Sequence, residues 1–362
     1  MTSVFNSDML LLARQYRGKS QAEVAQDAGL DQGHYSRIER GLLNSLPSTA
    51  TIEAVATALR FPVSFFTQND ELSGLPLSVH DVAWRKKASV NATDLKRLHA
   101  ELNLRVMNLR RLLSAIDLAP ELPLPRLDAD EMGGADKVAL FIRKAWMVQD
   151  GPIKNLTALC ERAGILVILA DFAEHVDGVT MRLRDVPPVI FLNKNAPADR
   201  MRHSLAHELG HLIMHSIPSD EMEDEADSFA GELLAPSAQL RGDFIGGRVT
   251  LERLVQLKRY WRVSVASLLY RGGRAGFLSK NQTDYLWRQL SARGWRKREP
   301  EETQFPAETT RLFDHIVTLH QDQFGYTSSD FGALLHLDER DVQLLYGIEP
   351  SSRPPRQLRV VK

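Results

Sequence analysis

The sequence has little of what marks secreted or membrane proteins. Cys160 is the only cysteine among the 362 residues, so no disulfide can form within the chain, and its apolar surroundings predict a core position. The longest apolar run, 165–170, has the length of a strand rather than of a membrane span. The apolar stretch 9–13 is too short for a signal peptide. These absences predict a cytoplasmic protein with no membrane partner.

The chain also has no excess of charge of either sign. Lysine and arginine number 45 and aspartate and glutamate 46, so the formal net charge is −1 and no overall field attracts nucleic acid. Hydrophobic residues make up 43% and charged residues 25%, as in ordinary globular proteins. The length is enough for two or three domains. Any contact with DNA must therefore come from a local surface.

Residues 207–211 read His-Glu-Leu-Gly-His and form the most informative stretch of the chain. They lie within 198–216, which has helical periodicity and no internal proline. Residues four apart share a face of a helix, so the imidazoles of His207 and His211 can reach one metal ion. Glu208 can then take a proton from a water molecule at the metal. This is the arrangement found in zinc peptidases.

A catalytic zinc site usually has three protein ligands and one open position, so a third ligand must follow. Candidates lie in an acidic run that leads into a second predicted helix, which ends before Pro236. Glu225 lies beside the apolar face of that helix and can lean toward a packed neighbour. Glu221 and Glu223 are nearer the helix start and could simply favour its dipole. We therefore expect Glu225 to be the third ligand; the alternative is that the whole run is solvated.

Residues 199–215 and 225–236 resemble the ImmA/IrrE family of zinc metallopeptidases. The two segments read DRMRHSLAHELGHLIMH and EADSFAGELLAP. In that family, the two histidines and the glutamate of an E-A-x-x-F-A segment bind zinc, and the glutamate between the histidines is the general base. The resemblance therefore implies zinc as the cofactor, with His207, His211 and Glu225 as ligands and Glu208 as the catalytic base.

The resemblance covers about 137–298 and has one visible departure. The family often has phenylalanine where this chain has His203, which we interpret as a packing position. His215 continues the face of the two metal-binding histidines. It could support a ligand from outside the metal's immediate surroundings, or it could be a histidine that favours the helix end through its charge.

The N-terminal residues predict two short helices joined by a tight turn. Ser20 opens an S-x-x-E capping box, Gly29 ends the first helix, and Asp31 can cap the second. Two such helices form a helix-turn-helix, and residues 7–68 resemble the XRE/Cro-type DNA-binding domain. The residues that carry this resemblance are Ala13-Arg14, Ser20-Gln21, Ala25, Gly29, 36–41 and 61–66.

In such a domain, the second helix enters the major groove of double-stranded operator DNA. We predict that Gln32, Gly33, His34 and Arg37 face the bases, and that Ser20, Gln21 and Arg40 contact phosphates. Residues 1–70 nevertheless contain six lysines and arginines against seven aspartates and glutamates, so one copy should bind weakly. Dimerisation, or the basic segments 85–87 and 105–111, would then help. The alternative is a helix-turn-helix that serves only protein docking.

The whole sequence predicts a mainly α fold with a small β-sheet, an α+β class. The expected regions are an all-α helix-turn-helix domain at 1–72, a helical linker at 73–130, an α+β zincin-like metallopeptidase domain at 131–245 and a helical C-terminal region at 246–362. Turn residues at 73–77 favour the first boundary. The amphipathic helix 92–118 could pair with a second copy in a homodimer or pack on the peptidase. Strand 189–192 could be an edge strand that binds extended substrate, or an ordinary core strand.

A second helix-turn-helix shape is predicted near the C-terminus. Residues 327–332 echo 20–25, and Leu337-Asp338 echo Leu30-Asp31 at the same offset. Its would-be recognition positions, 339–341, are mostly acidic, which favours contact with protein over DNA. A chance echo is the alternative.

Two functions are consistent with these patterns. In the first, the protein is a DNA-bound zinc metalloendopeptidase, and the family resemblance implies that it cleaves a regulatory protein such as a repressor. In the second, it is a non-proteolytic transcription regulator or antitoxin that uses the peptidase fold to sense a ligand or bind a toxin partner.

Overall fold

The computed structural model describes residues 5–70, 72, 92–172, 176–183, 185–245, 248–296 and 298–350. These residues form two compact units. Unit 1 comprises Met1–Leu75, Ser89–Asp117 and His315–Lys362, and unit 2 includes Leu118–Asp314. The predicted boundary at 73–77, the basic segment 85–87 and the chain beyond 350 lie outside the described residues.

Helices dominate both units, and their bounds follow the chain order. They are α1 (Ser7–Tyr16), α2 (Gln21–Asp27), α3 (Gln32–Glu39), α4 (Thr49–Leu59), α5 (Ala92–Leu113), α6 (Ala129–Met132), α7 (Ala135–Ala145), α8 (Leu156–Arg162), α9 (Ala198–Met214), α10 (Met222–Leu234), α11 (Ser237–Phe244), α12 (Leu251–Trp261), α13 (Val265–Arg274), α14 (Lys280–Ala292), α15 (Leu312–Asp322), α16 (Ser328–Leu335) and α17 (Glu339–Tyr346). Short 3-10 helices occupy Val63–Thr67 and Glu301–Thr303. The predicted class, mainly helical with a small sheet, is confirmed.

One small sheet lies in unit 2, and its strands are β1 (Leu166–Ala170), β2 (Gly178–Met181) and β3 (Val189–Asn193). In the described part of the chain the strand order is β1-β3-β2, with β3 parallel to β1 and antiparallel to β2. The suggestion that β3 is an edge strand is therefore wrong. Every residue of β3 is buried, as suits a strand with neighbours on both sides.

Local capping chemistry explains the start of the helix-turn-helix. Ser20 and Glu23 form the predicted capping box, and the Asp31 side chain accepts a hydrogen bond from the His34 amide. Gly29 has a φ of 64°, a conformation that glycine adopts without steric cost. Tyr35 is fully buried beneath this pair of helices. The two helices are thus fixed by caps, turn and core together.

The C-terminal echo is also a folded pair of helices, and it lies in unit 1. Thr327 and Asp330 form a capping box for α16, and Asp338 caps α17. His336, at the position that corresponds to Gly29, has a φ of 53°. The carboxylate of Asp341 is buried and bound by the Arg17 guanidinium. The predicted helix-turn-helix shape is therefore present, with its first turn partly covered.

The four predicted regions do not coincide with the two units. Helix α5, expected in a linker, buries its leucine-rich face in unit 1, where Asn108 donates a hydrogen bond of 2.7 Å to the Tyr346 hydroxyl. The region expected at 246–362 is divided, because 315–350 fold with the N-terminal residues. Contacts between residues so distant in sequence are not indicated by any local sequence pattern.

Unit 2 is built around α10, which packs on both α7 and α9, and α9 in turn packs on the sheet. Cys160 is fully buried there, as predicted, and burial raises the pKa of its thiol. Helix α11, which the sequence patterns did not predict, follows Pro236 directly. No helix in the described ranges has both the length and the apolarity needed to cross a membrane.

Candidate metal centre and DNA-binding surface

Helix α9 brings both histidines of the His-Glu-x-x-His motif to one point. The helix buries its leucine face, including Leu205 and Leu209, in the core of unit 2. His207 and His211, one turn apart, direct their Nε2 atoms toward each other at 3.0 Å. The His211 side chain is almost fully buried, and that of His207 is 17% exposed. The spacing of the motif therefore produces two converging metal donors.

A third donor comes from Glu223 in the first turn of α10. One carboxylate oxygen lies 3.5 Å from the His207 Nε2 atom, and the other lies 3.5 Å from the His211 Nε2 atom. A tetrahedral zinc ion with bonds of about 2.0–2.1 Å separates its ligand atoms by about 3.3 Å. His207, His211 and Glu223 also form the group that could hold a metal among the described residues. Their donor set and spacing fit zinc.

Glu225, the ligand expected from the sequence, is directed elsewhere. Its carboxylate lies 2.9 Å from Nε2 of His215 rather than beside the two converging Nε2 atoms. Residues two apart on a helix differ by about 200° in direction, so Glu223 and Glu225 cannot both face α9 in the same place. Close packing sets the rotation of α10, because a Cβ added at Gly210 would lie 3.4 Å from the Cα of Ala226. In the structure, Glu223 rather than Glu225 therefore lies beside the two converging histidines.

Each converging histidine is held at its other nitrogen. Nδ1 of His207 lies 2.8 Å from the carboxylate of Asp227, which follows Glu223 by one turn of α10. Nδ1 of His211 lies 2.9 Å from Nδ1 of His215, whose Nε2 faces Glu225. Such outer partners fix the ring orientation and tautomer of metal-binding histidines.

One arrangement of protons satisfies the whole chain from His211 to Glu225. If the Nε2 atom of His211 carries the lone pair for a metal, its Nδ1–H donates to His215 Nδ1. The Nε2–H of His215 then donates to the Glu225 carboxylate. In this arrangement His215 would support the ring of His211 from outside the metal's immediate surroundings.

The surroundings of the two histidines shift their pKa values in opposite directions. Burial lowers the pKa of His207, but hydrogen bonds with Asp227 and Glu223 outweigh it and raise this pKa to about 10. Burial, with repulsion from His207 and His215, lowers the pKa of His211 to about 2. The pKa of Asp227 is lowered because hydrogen bonds from His203 and His207 outweigh its burial. The carboxylates thus favour the protonated form of His207, and metal binding would require loss of that proton.

Glu208 lies against the edge of the sheet. It is 5% exposed, and a Cβ added at Gly178 of β2 would approach its Cγ to 2.9 Å. The Thr180 hydroxyl, on the same strand, donates to the backbone carbonyl of Glu208 at 3.1 Å. A glycine at 178 therefore leaves room for the Glu208 side chain beside the edge strand.

The predicted base-reading residues are accessible at the start of α3. Gln32, Gly33 and Arg37 are exposed, and His34 is half-buried. Arg40 is exposed as well, immediately after the helix. These residues therefore have the exposure that contact with a major groove would require.

Two predicted phosphate contacts are already engaged within unit 1. Gln21 donates to the Glu39 carboxylate at 2.6 Å, and Glu39 also binds Arg14. The Ser20 hydroxyl caps α2 and lies 2.7 Å from the Glu23 carboxylate. Both side chains are therefore bound to carboxylates of unit 1 in the structure.

Most cations of the N-terminal region are paired internally. The partners are Glu39 for Arg14, Asp341 for Arg17, Asp27 for Lys19 and Asp338 for Arg60. Arg37 and Arg40 form no ion pair with the described residues, and both are exposed. The cations left for DNA are therefore the two beside the base-reading surface.

The fold and the site define a helix-turn-helix domain joined to a metallopeptidase-type domain. Residues 160–272 match the peptidase M78 family model, described as the IrrE N-terminal-like domain. Residues 10–64 match a helix-turn-helix domain model. The two matches confirm the resemblances predicted from the sequence and support a DNA-binding regulator with a peptidase-family domain. No curated protein matches the chain.

The sequence analysis set Glu223 aside in favour of Glu225 and did not consider Asp227, although a pattern for both exists. Glu223 and Asp227 are four residues apart, so they share one face of α10. That spacing would allow one carboxylate to bind a metal while the other holds the ligand His207. The pattern E-x-x-x-D downstream of the histidine motif therefore indicates a ligand and its supporting carboxylate on one helix face.

Proposed function

We propose that the protein is a DNA-bound zinc metalloendopeptidase that cleaves a regulatory protein such as a repressor. The observation that carries the proposal is the convergence of His207, His211 and Glu223, with donor atoms 3.0–3.5 Å apart. Glu208 follows His207 directly on the same helix. Three donors and one adjacent carboxylate form the set that zinc peptidases use.

His207, His211 and Glu223 would hold the zinc ion. When bound, zinc would polarise the scissile carbonyl and favour deprotonation of water. Glu208 would accept the proton of the attacking water and deliver it to the leaving amine. Its burial beside Gly178 restricts the carboxylate to a small volume, which favours proton transfer at a fixed place.

Outer hydrogen bonds would keep the two histidine ligands in the required tautomer. Asp227 accepts from Nδ1 of His207, which leaves its Nε2 lone pair for the metal. His215, supported by Glu225, would accept from Nδ1 of His211 in the same way. We assign Glu225 this supporting role instead of direct metal binding.

The substrate would lie along β2, the strand at the edge of the sheet beside Glu208. In the described part of the chain β2 pairs with β3 on one side only. An extended peptide could add to its other side through backbone hydrogen bonds. This placement brings a peptide backbone to the strand that carries Gly178, the neighbour of Glu208.

DNA binding would localise this activity at an operator. The exposed residues Gln32 and Arg37 can form hydrogen bonds with adenine and guanine, respectively. Because few cations remain unpaired, affinity for one half-site should be low, and a homodimer would raise it.

Glu208→Gln tests the proposal, because it removes the base and leaves the zinc ligands and α3 unchanged. Newly formed protein N-termini would be compared by mass spectrometry in cells that express the wild-type chain or the variant. We expect at least one regulator to be cut only in wild-type cells, with a change in its reporter. Arg37→Ala serves as the matched variant for DNA binding.

The non-proteolytic alternative gives the opposite pattern. A regulator or antitoxin that only binds DNA and a partner would act normally with Glu208→Gln and would fail with Arg37→Ala. Identical N-termini and identical reporter output in the Glu208→Gln and wild-type strains would therefore reject the peptidase proposal.

A further inference from the structure

A cleft of about 940 Å³ opens in unit 2 beside the candidate metal centre. Asp227 contributes to its lining, and the same carboxylate holds the ring of His207. His203, one turn before His207 on α9, lines it too. The cleft therefore reaches the immediate neighbours of a metal ligand, and its volume is in the range of small-ligand sites.

One part of the lining combines arginine with tryptophan. This arginine-tryptophan surface consists of Arg274 on α13, Trp287 on α14, and Trp295 and Arg296 in the segment after α14. The guanidinium of Arg296 lies 4.9 Å from the centre of the Trp287 ring. A stacked guanidinium still has its edge N–H groups available, and these match a carboxylate.

The acidic side chains of the cleft mostly have internal partners. Asp199 and Glu299 both bind the fully buried Lys258, at 2.5 and 2.6 Å. Glu232 binds Arg271, whose guanidinium passes close to Gly231 of α10. Each of these three carboxylates is therefore paired with a cation within unit 2.

The remaining charges are divided between two parts of the lining. Asp136 lies on α7, and Asp224 lies on α10, the helix that also carries Glu223. Arg274 donates a hydrogen bond of 3.3 Å to the Tyr270 hydroxyl, and neither it nor Arg296 forms an ion pair with the described residues. Among the described residues that line the cleft, Arg274 and Arg296 are therefore the arginines without an ion pair, and both belong to the arginine-tryptophan surface.

The arginine-tryptophan surface lies beyond the residues that match the peptidase family. That match ends at 272, whereas the surface is formed by residues 274–296. Residues that directly follow the matched range thus contribute a binding surface beside the candidate metal centre. Such a combination can set substrate preference without altering the chemistry.

We propose that this cleft binds a segment of the protein substrate that carries an acidic side chain next to an aromatic one. The carboxylate would be bound by Arg274 and Arg296, and the aromatic ring would pack on Trp287 and Trp295. The choice of a substrate segment as the bound molecule rests on the proposed peptidase function, because the cleft adjoins the candidate metal centre. It names the substrate class that the centre would cut.

Calorimetry on the full-length, zinc-loaded Glu208→Gln protein tests the cleft without cleavage. The probes are two 12-residue glycine-serine peptides with a central Glu-Glu-Phe or Gln-Gln-Phe. We expect the acidic peptide to bind about tenfold more tightly, since one charge-assisted hydrogen bond contributes roughly that factor. Adding Arg274→Gln and Arg296→Gln together should abolish the difference. Arg288→Gln, an exposed arginine of α14 outside the cleft, should preserve it.

Equal affinities for the two peptides, no binding of either, or a preference that survives the double arginine change would overturn the proposal. These outcomes are separate from failure of the peptidase function, because binding is measured on a variant without the base. A preserved preference together with no proteolysis by the wild-type chain would support the cleft and reject the peptidase.

Discussion

Separate replacement of Glu223 and Glu225 by alanine distinguishes the two assignments of the third metal ligand. In the structure, Glu223 faces both Nε2 atoms at 3.5 Å, whereas Glu225 contacts His215. Loss of Glu223 should therefore remove a ligand. Loss of Glu225 should remove only the end of the hydrogen-bond chain that supports His211.

The two losses differ in size. Zinc sites with four ligands bind with about 10–16 kcal/mol, which corresponds to roughly 3–4 kcal/mol for each ligand. Glu223→Ala should thus weaken zinc binding roughly 10²–10³-fold. Removal of an outer partner costs about 10–100-fold, and Glu225 acts through one further histidine. We therefore expect Glu225→Ala to weaken binding about tenfold at most.

Competition with a fluorescent zinc chelator at fixed pH measures both affinities. Glu221→Ala is the matched control, since Glu221 belongs to the same acidic run and lies outside the candidate ligand set. Circular dichroism would establish that each variant keeps its helices. A larger loss for Glu225→Ala than for Glu223→Ala would refute the assignment of Glu223 and restore the ligand expected from the sequence.

Three further predictions concern the DNA surface, the stability of unit 1 and the proposed base. Arg37→Ala should reduce discrimination among bases by about 1–3 kcal/mol in binding assays on the protein's own promoter; an unchanged footprint would favour protein docking. Burial raises the pKa of Glu39, but hydrogen bonds from Arg14 and a neighbouring glutamine outweigh it and hold the pKa below its usual 4.5. The carboxylate therefore stabilises unit 1 above pH 4.5, and this contribution is lost as the pH falls through the lowered pKa. Chemical denaturation at several pH values should show a shallower acid-dependent loss in Glu39→Gln than in the wild type. Gly178→Ala should displace the Glu208 side chain and reduce proteolysis at least tenfold while zinc content stays at the wild-type level; unchanged proteolysis would remove the positioning role of Gly178.

Local chemistry made much of the fold predictable. The capping box at Ser20, the turn at Gly29 and the cap at Asp31 set the bounds of the helix-turn-helix within a residue or so. The apolar run 165–170 has the length of a strand, and β1 occupies Leu166–Ala170 within it. Each of these features depends on neighbours in the sequence.

Features that depend on packing between distant residues were not predictable in the same way. The choice between Glu223 and Glu225 depends on the rotation of α10, which its contact with Gly210 sets. The return of α17 to the N-terminal region depends on the Arg17–Asp341 ion pair, which joins residues from opposite ends of the chain. Neither contact has a sequence period that would indicate it.

The sequence of β3 itself indicates a central position in the sheet. Val189, Ile190, Phe191 and Leu192 are consecutive apolar residues, and all are buried. An edge strand with a solvated face usually alternates polar and apolar residues, so an unbroken apolar run favours a central strand. The alternative of an ordinary core strand is therefore confirmed.

The rate at which the purified protein cleaves its identified target measures the central claim most directly. Wild type and Glu208→Gln would be compared at equal zinc content and equal operator DNA. The account predicts a rate lower by roughly 10²–10⁴ for the variant, the usual effect of losing a general base. Equal rates would contradict the assignment of Glu208 as the base and with it the proposed mechanism.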